Sequence, residues 1–196
     1  MTIKLIPEAI REFYEVYEWK HACAILKNDF PSEFKNVIDL LMQFRLKKSW
    51  IISGGGRKSE VSSAIDEFLY ERGWAEKEFS TSFKVDNCIV NSPTHKVDCF
   101  KNRIALEIEW NNKDPFFDRD LNNFRLLFDL RAVSVGIIIT RCDDLQQIFD
   151  KLGRGKSYGS STTHLAKLLP KIEGGSGGGC PILVFGISSY LYYEDC

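Results

Sequence analysis

Three acidic residues near the middle of the chain have the types and the spacing of a cation site. Asp98 precedes Glu107 by nine residues, and Glu109 follows two residues later within the segment IALEIEWNNKD. If residues 104–110 form a strand, Glu107 and Glu109 share one face of it, because successive side chains point to opposite sides. A hairpin-like return brings Asp98 close to them. Since adjacent carboxylates repel one another, we expect a Mg²⁺ ion to hold Asp98, Glu107 and Glu109 together.

Such an ion would suit hydrolysis of a phosphate ester. Mg²⁺ keeps water ligands and binds substrate phosphate, so it can activate water and polarise a phosphate oxygen. The alternative is that Glu107 and Glu109 lie on the solvated face of an alternating strand, which this pattern alone more often means. The apolar strand AVSVGIIITR, preceded by a helix at 118–130, favours a covered strand and an acidic cleft.

The elements that must position these acids predict an α/β fold with a central mixed β-sheet flanked by α-helices. Residues 6–28 and 32–46 carry apolar side chains at helical spacing and predict two packed helices. The glycine-rich segment GGGRKSE at 54–60 opens a further helix with Ser59 as its N-cap. The strand that contains the acids, the helix after it and AVSVGIIITR form a βαβ unit, which predicts parallel strands.

Composition narrows the class of protein. The chain has 196 residues with 44% hydrophobic residues, which suits one folded domain, and its net charge of −1 does not indicate a globally basic nucleic-acid binder. The six cysteines form no CxxC pair, so we expect free thiols and no zinc site. No signal or membrane-spanning segment is evident, so we expect a cytoplasmic protein that does not bind membranes. A nucleotide-binding GxxxxGK[ST] loop is absent.

The nine-residue spacing after Asp98, EIEW on a strand, a helix and then GIIITR together resemble the core of the PD-(D/E)xK nucleases. Most members of that superfamily carry Lys where Glu109 stands, so this chain has the D…ExE variant. With SSTTH and GGGCPILVFGI, it resembles type II restriction endonucleases of the BglII/BstYI-like kind and, more distantly, BamHI. The resemblance covers about residues 50–190. It implies one endonuclease domain over 1–196, divided into N-terminal helices (1–48), a catalytic core (50–142), a DNA-recognition region (143–180) and a final strand with a tail (181–196).

The resemblance also implies a homodimer that cleaves both strands of a short palindromic site in double-stranded DNA, with Mg²⁺ and with GATC-centred sites as a hypothesis. Asp98 and Glu107 would bind the metal, and Glu109 would accept a proton from the attacking water or help to hold the metal. Glu60, in the first turn of its helix, would lie beside the metal site; otherwise it is an acid that the helix dipole favours. A cognate DNA methyltransferase is expected in the same system.

Three segments are predicted to contact DNA. Asn111, Asn112 and Lys113 follow the catalytic strand and would lie near the scissile phosphate. Arg154 and Lys156 in GRGK add cations beside exposed backbone amides. Short hydroxyls and a helix start could read base edges or bind phosphate. Because the resemblance places recognition residues after the strand GIIITR, it implies that Ser160, Ser161, Thr162, Thr163 and His164 face DNA. The alternative for that last segment is a polar loop in which Thr163 or another hydroxyl caps the helix. A catalytically inactive or repair protein with the same fold is the alternative function.

Overall fold

The computed structural model describes residues 2–53, 58–91 and 94–195. Its α-helices are α1 (Glu8–Phe13), α2 (Ala22–Asp29), α3 (Pro31–Gln43), α4 (Lys48–Ile52), α5 (Glu60–Tyr70), α6 (Pro115–Asp129), α7 (Gln146–Lys151) and α8 (Leu165–Glu173). Its strands are β1 (Tyr14–Trp19), β2 (Leu46–Lys47), β3 (Ala75–Lys77), β4 (Ser82–Val85), β5 (Cys88–Asn91), β6 (Val97–Lys101), β7 (Ile104–Glu109), β8 (Val135–Arg141), β9 (Ile182–Ile187) and β10 (Tyr192–Tyr193). Short 3₁₀ helices lie at Ile3–Leu5, Asp143–Leu145 and Ser189–Leu191.

Six strands form the central sheet in the order β1-β9-β8-β7-β6-β3. The β7–β8 and β8–β9 pairs are parallel, whereas β1–β9, β6–β7 and β3–β6 are antiparallel. The βαβ unit made of β7, α6 and β8 is therefore present as predicted, and the mixed sheet with helices on both faces is confirmed. In the described part of the chain, no helix is both long enough and apolar enough to cross a bilayer.

The N-terminal region differs from its prediction. Residues 6–28 were expected to be one helix within an all-helical segment 1–48, but Tyr14–Trp19 is an edge strand paired with β9. Four of the six residues of YEVYEW are aromatic or β-branched, and such residues fit a pleated surface well. Lys20 and His21 adopt positive φ and turn the chain into α2. The helical prediction for residues 14–19 is therefore wrong.

The sheet is covered on both faces. One hydrophobic cluster packs α1 to α5 and α7 against side chains such as Leu106 and Ile137. The other packs α6 and α8 against Ala105 and Ile138, which alternate with the first set along β7 and β8. Every residue of β7 is buried, so the acidic strand has no solvated face.

The hairpin that joins β6 to β7 sets the position of the acids. Asn102 and Arg103 both have positive φ, as a tight two-residue hairpin turn requires, and Cys99 pairs with Leu106. Asp98 consequently lies next to Glu107, as the sequence predicted. A second hairpin, β4–β5, forms a separate two-stranded sheet.

The start of α5 and the state of the cysteines were also predicted from the sequence. Residues 54–57, which contain the glycines of the predicted turn, lie outside the described residues. Ser59 caps α5, as predicted, because its side chain accepts a hydrogen bond from the backbone N–H of Ser62. Within the described residues, the cysteines with free thiols are Cys23, Cys88, Cys99, Cys142 and Cys180.

Candidate active site

Asp98, near the start of β6, and Glu107, on β7, form a carboxylate pair at the end of the hairpin opposite its turn. The backbone N–H of Asp98 donates to Glu107 Oε2 over 3.3 Å, and Asp98 Oδ2 accepts from the backbone N–H of Ile108 over 3.0 Å. Burial raises the pKa of Asp98 to about 6 even though the Ile108 hydrogen bond opposes the shift. Burial also raises the pKa of Glu107 well above its ordinary value, and the negative charges of Asp120 and Asp98 act in the same direction.

Glu107 carries an unsatisfied atom. Its side chain is 1% exposed, and Oε1 has no hydrogen-bond partner among the described residues. A buried carboxylate oxygen without a partner is costly, because desolvation of the charged group is not compensated. A cation bound at this oxygen would remove that cost.

Glu109 lies on the same face of β7 but contacts a different set of groups. Asn112 Nδ2 donates to Glu109 Oε2 over 2.8 Å, and Arg119 Nη2 lies 3.4 Å from Glu109 Oε1. Burial and the charge of Asp120 raise the pKa of Glu109 to about 9, although the hydrogen bond from Asn112 and the charge of Arg119 oppose the shift. The carboxyl of Glu109 thus contacts the start of α6 rather than the cleft that Asp98 lines.

Asp120 on α6 was not predicted as a site residue. It is fully buried, and its Oδ1 accepts two hydrogen bonds from Arg119, from Nε at 3.0 Å and from Nη2 at 2.9 Å. Burial raises the pKa of Asp120, which Glu109 and Arg119 oppose, and Asp120 Oδ2 has no partner in the described structure. The helical spacing of the sequence could have identified Asp120, because it lies three residues after Phe117 and four before Phe124 on the buried side of α6.

Asp66 on α5 is a second missed acid. Its side chain is almost fully buried, and Lys58 Nζ lies 2.5 Å from its Oδ2. The Cys99 thiol donates to Asp66 Oδ1 over 3.2 Å. Burial lowers the pKa of Lys58, but the hydrogen bond with Asp66 and the charges of Asp66 and Asp98 outweigh that effect and raise it. Lys58 therefore stays protonated beside the acids.

A cleft of about 490 Å³ opens beside this cluster. Asp66 and Lys58 line it, and so do five of the residues that the sequence predicted: Glu60, Asp98, Asn111, Asn112 and Arg154. Glu60 is exposed, which is compatible with a role beside the acids and with its helix-terminal alternative. An apolar groove of about 540 Å³ lies on the other side of Trp50, and its lining includes no carboxylate. The polar cleft is therefore the candidate active site.

The loop after β7 and the loop before α8, both predicted to bind DNA, are joined to each other. Lys113 and Thr162 form an isolated β-bridge, and the backbone N–H of Thr163 donates to the Asn112 carbonyl over 2.8 Å. Arg141, which is 2% exposed, donates through Nη2 to the Tyr158 carbonyl and to Thr162 Oγ1, each over 2.9 Å. The two loops thus form one surface beside the cleft.

Exposure divides the predicted DNA-binding residues. The exposed ones are Asn111, Lys113, Lys156, Ser160 and Ser161, whereas Asn112, Arg154, Thr162 and His164 are half-buried. His164 Nδ1 lies 2.5 Å from Asp143 Oδ1, and burial lowers the pKa of His164. Thr163 is fully buried, so its side chain does not reach the surface, and it does not cap α8 either.

The donor chemistry of this site fits a divalent cation. Within residues 2–53, 58–91 and 94–195, no three His, Cys, Asp or Glu side chains form a ready-made metal site. However, Asp98 and Glu107 supply adjacent carboxylate oxygens, which are the ligands that Mg²⁺ prefers. The partnerless Oε1 of Glu107 and the raised pKa values of both groups are what a bound cation would relieve.

Comparison with known proteins agrees with this geometry. A family model described as "Restriction endonuclease BglII/BglIII" matches residues 14–187 of the chain. The match includes the acidic strand, α5, α6 and both loops beside the cleft. No curated protein shows significant sequence similarity to the chain. Because the match spans most of its 196 residues, the chain belongs to the BglII/BglIII family of type II restriction endonucleases, which are site-specific deoxyribonucleases.

Proposed function

We propose that this endonuclease uses Mg²⁺ to hydrolyse both strands of a short palindromic DNA site in the cleft that Asp98 lines. The observation that carries the proposal is the Asp98–Glu107 pair, in which the buried Glu107 Oε1 lacks a hydrogen-bond partner among the described residues. Restriction endonucleases of this family act on DNA and generally use a divalent metal. Mg²⁺ suits the site because its ligands are carboxylate oxygens and because it leaves coordination positions for water and phosphate.

In the proposed mechanism, Asp98 and Glu107 would hold the ion, and Glu109 would be a further ligand or the proton acceptor. When bound, Mg²⁺ supplies Lewis-acid polarisation of the phosphate and activation of a water molecule. The raised pKa of Glu109 keeps this carboxyl protonated when no cation is present, so it would accept a proton only where bound Mg²⁺ lowers its pKa. Asn112 and Arg119 orient Glu109 through contacts to its two oxygens. Glu60 is proposed as an outer acid of the same cleft.

The surface formed by the two joined loops is the proposed DNA-binding face. Asn111, Asn112 and Lys113 would contact DNA near the scissile phosphate, because they directly follow the catalytic strand. Phosphate contacts position DNA and base contacts specify sequence. We assign the first role to Arg154 and Lys156, and the second to the exposed or half-exposed residues Ser160, Ser161, Thr162 and His164. Thr163 would act through its backbone N–H, which fixes the loop against Asn112.

Several finer properties belong to the same proposal. Cutting both strands of a palindrome requires two sites related by two-fold symmetry, so we propose a homodimer. GATC-centred sequences, a cognate methyltransferase and a cytoplasmic location also remain proposals. The division of the chain into N-terminal segment, catalytic core, recognition region and tail is likewise proposed.

The central experiment is digestion of unmethylated phage DNA by the purified protein with Mg²⁺. Discrete fragments are expected, and random degradation or intact DNA would count against the proposal. Glu107→Ala should abolish cutting while DNA binding, measured with Ca²⁺, is retained. Glu12→Ala serves as the control, because Glu12 is an exposed glutamate on α1, far from Glu107 in the sequence. If Glu107→Ala still cuts DNA, Glu107 is not a metal ligand. If wild type binds a DNA site specifically but does not cut it, the protein is an inactive DNA-binding protein.

A further inference from the structure

We propose that Lys58 is a catalytic residue that binds the scissile phosphate in the cleft and offsets the negative charge that develops on it during hydrolysis. This inference rests on the proposed function of the cleft, and it adds a residue that neither the acidic motif nor the predicted DNA-binding segments include.

Lys58 is held in place at one end of the acidic cluster. It directly precedes Ser59, whose side chain caps α5 through the backbone N–H of Ser62 at 3.0 Å. Its Nζ lies 2.5 Å from Asp66 Oδ2 and 5.9 Å from the centre of the Tyr70 ring. Tyr70 in turn donates its hydroxyl hydrogen to the Asp98 carbonyl over 3.0 Å. Lys58 is thus connected to the proposed metal-binding residue through one intervening side chain.

The ammonium group is fixed but still accessible. Asp66 is 5% exposed at its side chain, whereas Lys58 is 50% exposed. An ammonium group has three N–H donors, so one bond to Asp66 leaves donors for another anion. An ordinary surface ion pair has two solvated partners and holds neither in place. Here the buried partner anchors Nζ at the cleft wall, where a phosphate oxygen could accept from it.

The charge of the cleft gives this cation a role. Asp66, Asp98, Glu60 and Glu76 all line the cleft, and a phosphodiester is itself an anion. Among the described residues that line it, the cationic side chains are Lys58 and Arg154. Arg154 Nη2 lies 3.5 Å from the Ser53 carbonyl, and Arg154 forms no ion pair with an acid among the described residues. Lys58 is therefore the described lining cation that lies beside the carboxylates.

The reaction step balances without further reactants. The oxygen of a water molecule bonds to phosphorus, one P–O ester bond breaks, and the two hydrogens of the water end on the departing oxygen and on the acids or solvent. Lys58 keeps its own proton throughout. Its contribution is to donate hydrogen bonds to phosphoryl oxygens as they gain negative charge, which is the usual action of a preorganised donor.

The test compares Lys58→Met with Lys35→Met as a matched control. Lys35 also forms a 2.5 Å ion pair with an aspartate, Asp39, but on α3 and with a side chain 72% exposed. The single-turnover cleavage rate of Lys58→Met should fall by about 10²- to 10³-fold, the usual loss for one transition-state donor. Lys35→Met should cut as wild type does. A Lys58→Met protein that is folded by circular dichroism and cuts at the wild-type rate overturns the proposal.

A binding measurement separates phosphate contact from mere neutralisation of Asp66. In EDTA, wild type and Lys58→Met are compared on DNA that carries either a phosphate or a neutral methylphosphonate at the cut position. The substitution should weaken binding of the phosphate duplex several-fold and leave binding of the methylphosphonate duplex unchanged. An equal loss on both duplexes assigns Lys58 a structural role and overturns the proposal. If Lys58→Met does not fold, the same comparison is made with Lys58→Met/Asp66→Asn, which leaves no unpaired buried charge. Wild type that makes no specific cut refutes the proposed function, and this inference with it.

Discussion

Replacing Glu109 by glutamine is expected to make the metal-free protein more stable at neutral pH. The folded protein keeps Glu109 protonated up to a pKa of about 9, against an ordinary value of 4.5. Between those values the folded state holds one proton that the unfolded state has released. Stability that is present below pH 4.5 is therefore lost as the pH rises toward 9, and the free energy of unfolding falls by about 1.4 kcal/mol per pH unit.

Between pH 5 and pH 7 this loss amounts to about 3 kcal/mol for wild type. Glutamine has no carboxyl proton to lose and stays neutral over this whole pH range. Glu109→Gln should consequently be more stable than wild type at pH 7 by about 3 kcal/mol, which for a chain of this length raises Tm by roughly 6–12 °C. The difference between the two proteins should shrink toward zero near pH 4.5.

The assay is urea unfolding in EDTA at pH 5, 6, 7 and 8, with Glu12→Gln as the exposed control. The wild-type and control curves should decline together with pH, and the Glu109→Gln curve should decline less steeply. Parallel pH profiles for wild type and Glu109→Gln would refute the reasoning, because they would mean that Glu109 releases its proton at the same pH in both states.

Three further changes test other parts of the site. Mg²⁺ at 100 times its Kd should stabilise wild type by about 2.7 kcal/mol, and Glu107→Gln should show a much smaller Tm increase; equal increases would argue against Glu107 as a ligand. Arg141→Met removes two hydrogen bonds to the loop before α8, so the free energy of unfolding in urea should fall by roughly 3 kcal/mol. The variant should also discriminate less well between cognate and altered DNA sites. Unchanged discrimination would show that Arg141 has no part in recognition. Thr163→Val removes a buried hydroxyl that has no hydrogen-bond partner in the described part of the chain, so stability and cutting should be retained. A cutting defect with normal folding would show that the hydroxyl has a function.

Local sequence patterns predicted the parts of the site that lie on one hairpin. Alternation along β7 placed Glu107 and Glu109 on one face, and the turn at Asn102 and Arg103 placed Asp98 beside them. The acids on helices were missed because their proximity depends on how α5 and α6 pack on the sheet, which residue spacing within one element does not determine. Asp66 and Asp120 were nevertheless detectable as charges on buried helix faces.

The strand β1 was missed for a different physical reason. Tyr14 and Tyr17 are three residues apart and fit a helical period, while Tyr14 and Val16 fit a strand period equally well. The choice between them depends on pairing with β9, which is distant in sequence. The orientation of Glu109 was also beyond local reasoning, because Arg119 and Asp120 determine it from the next helix.

Asn112 connects the catalytic strand to the DNA-binding surface. Its side-chain amide donates to Glu109 Oε2, and its carbonyl accepts from the backbone N–H of Thr163. The loop before α8 therefore cannot move relative to β7 without disturbing the hydrogen bond that orients Glu109. Lys113 also pairs with Thr162, and Arg141 donates a hydrogen bond to Thr162 Oγ1. The connection therefore involves several bonds and does not depend on Asn112 alone. Contacts with DNA at this loop are thus mechanically linked to the carboxyl group proposed to accept the proton.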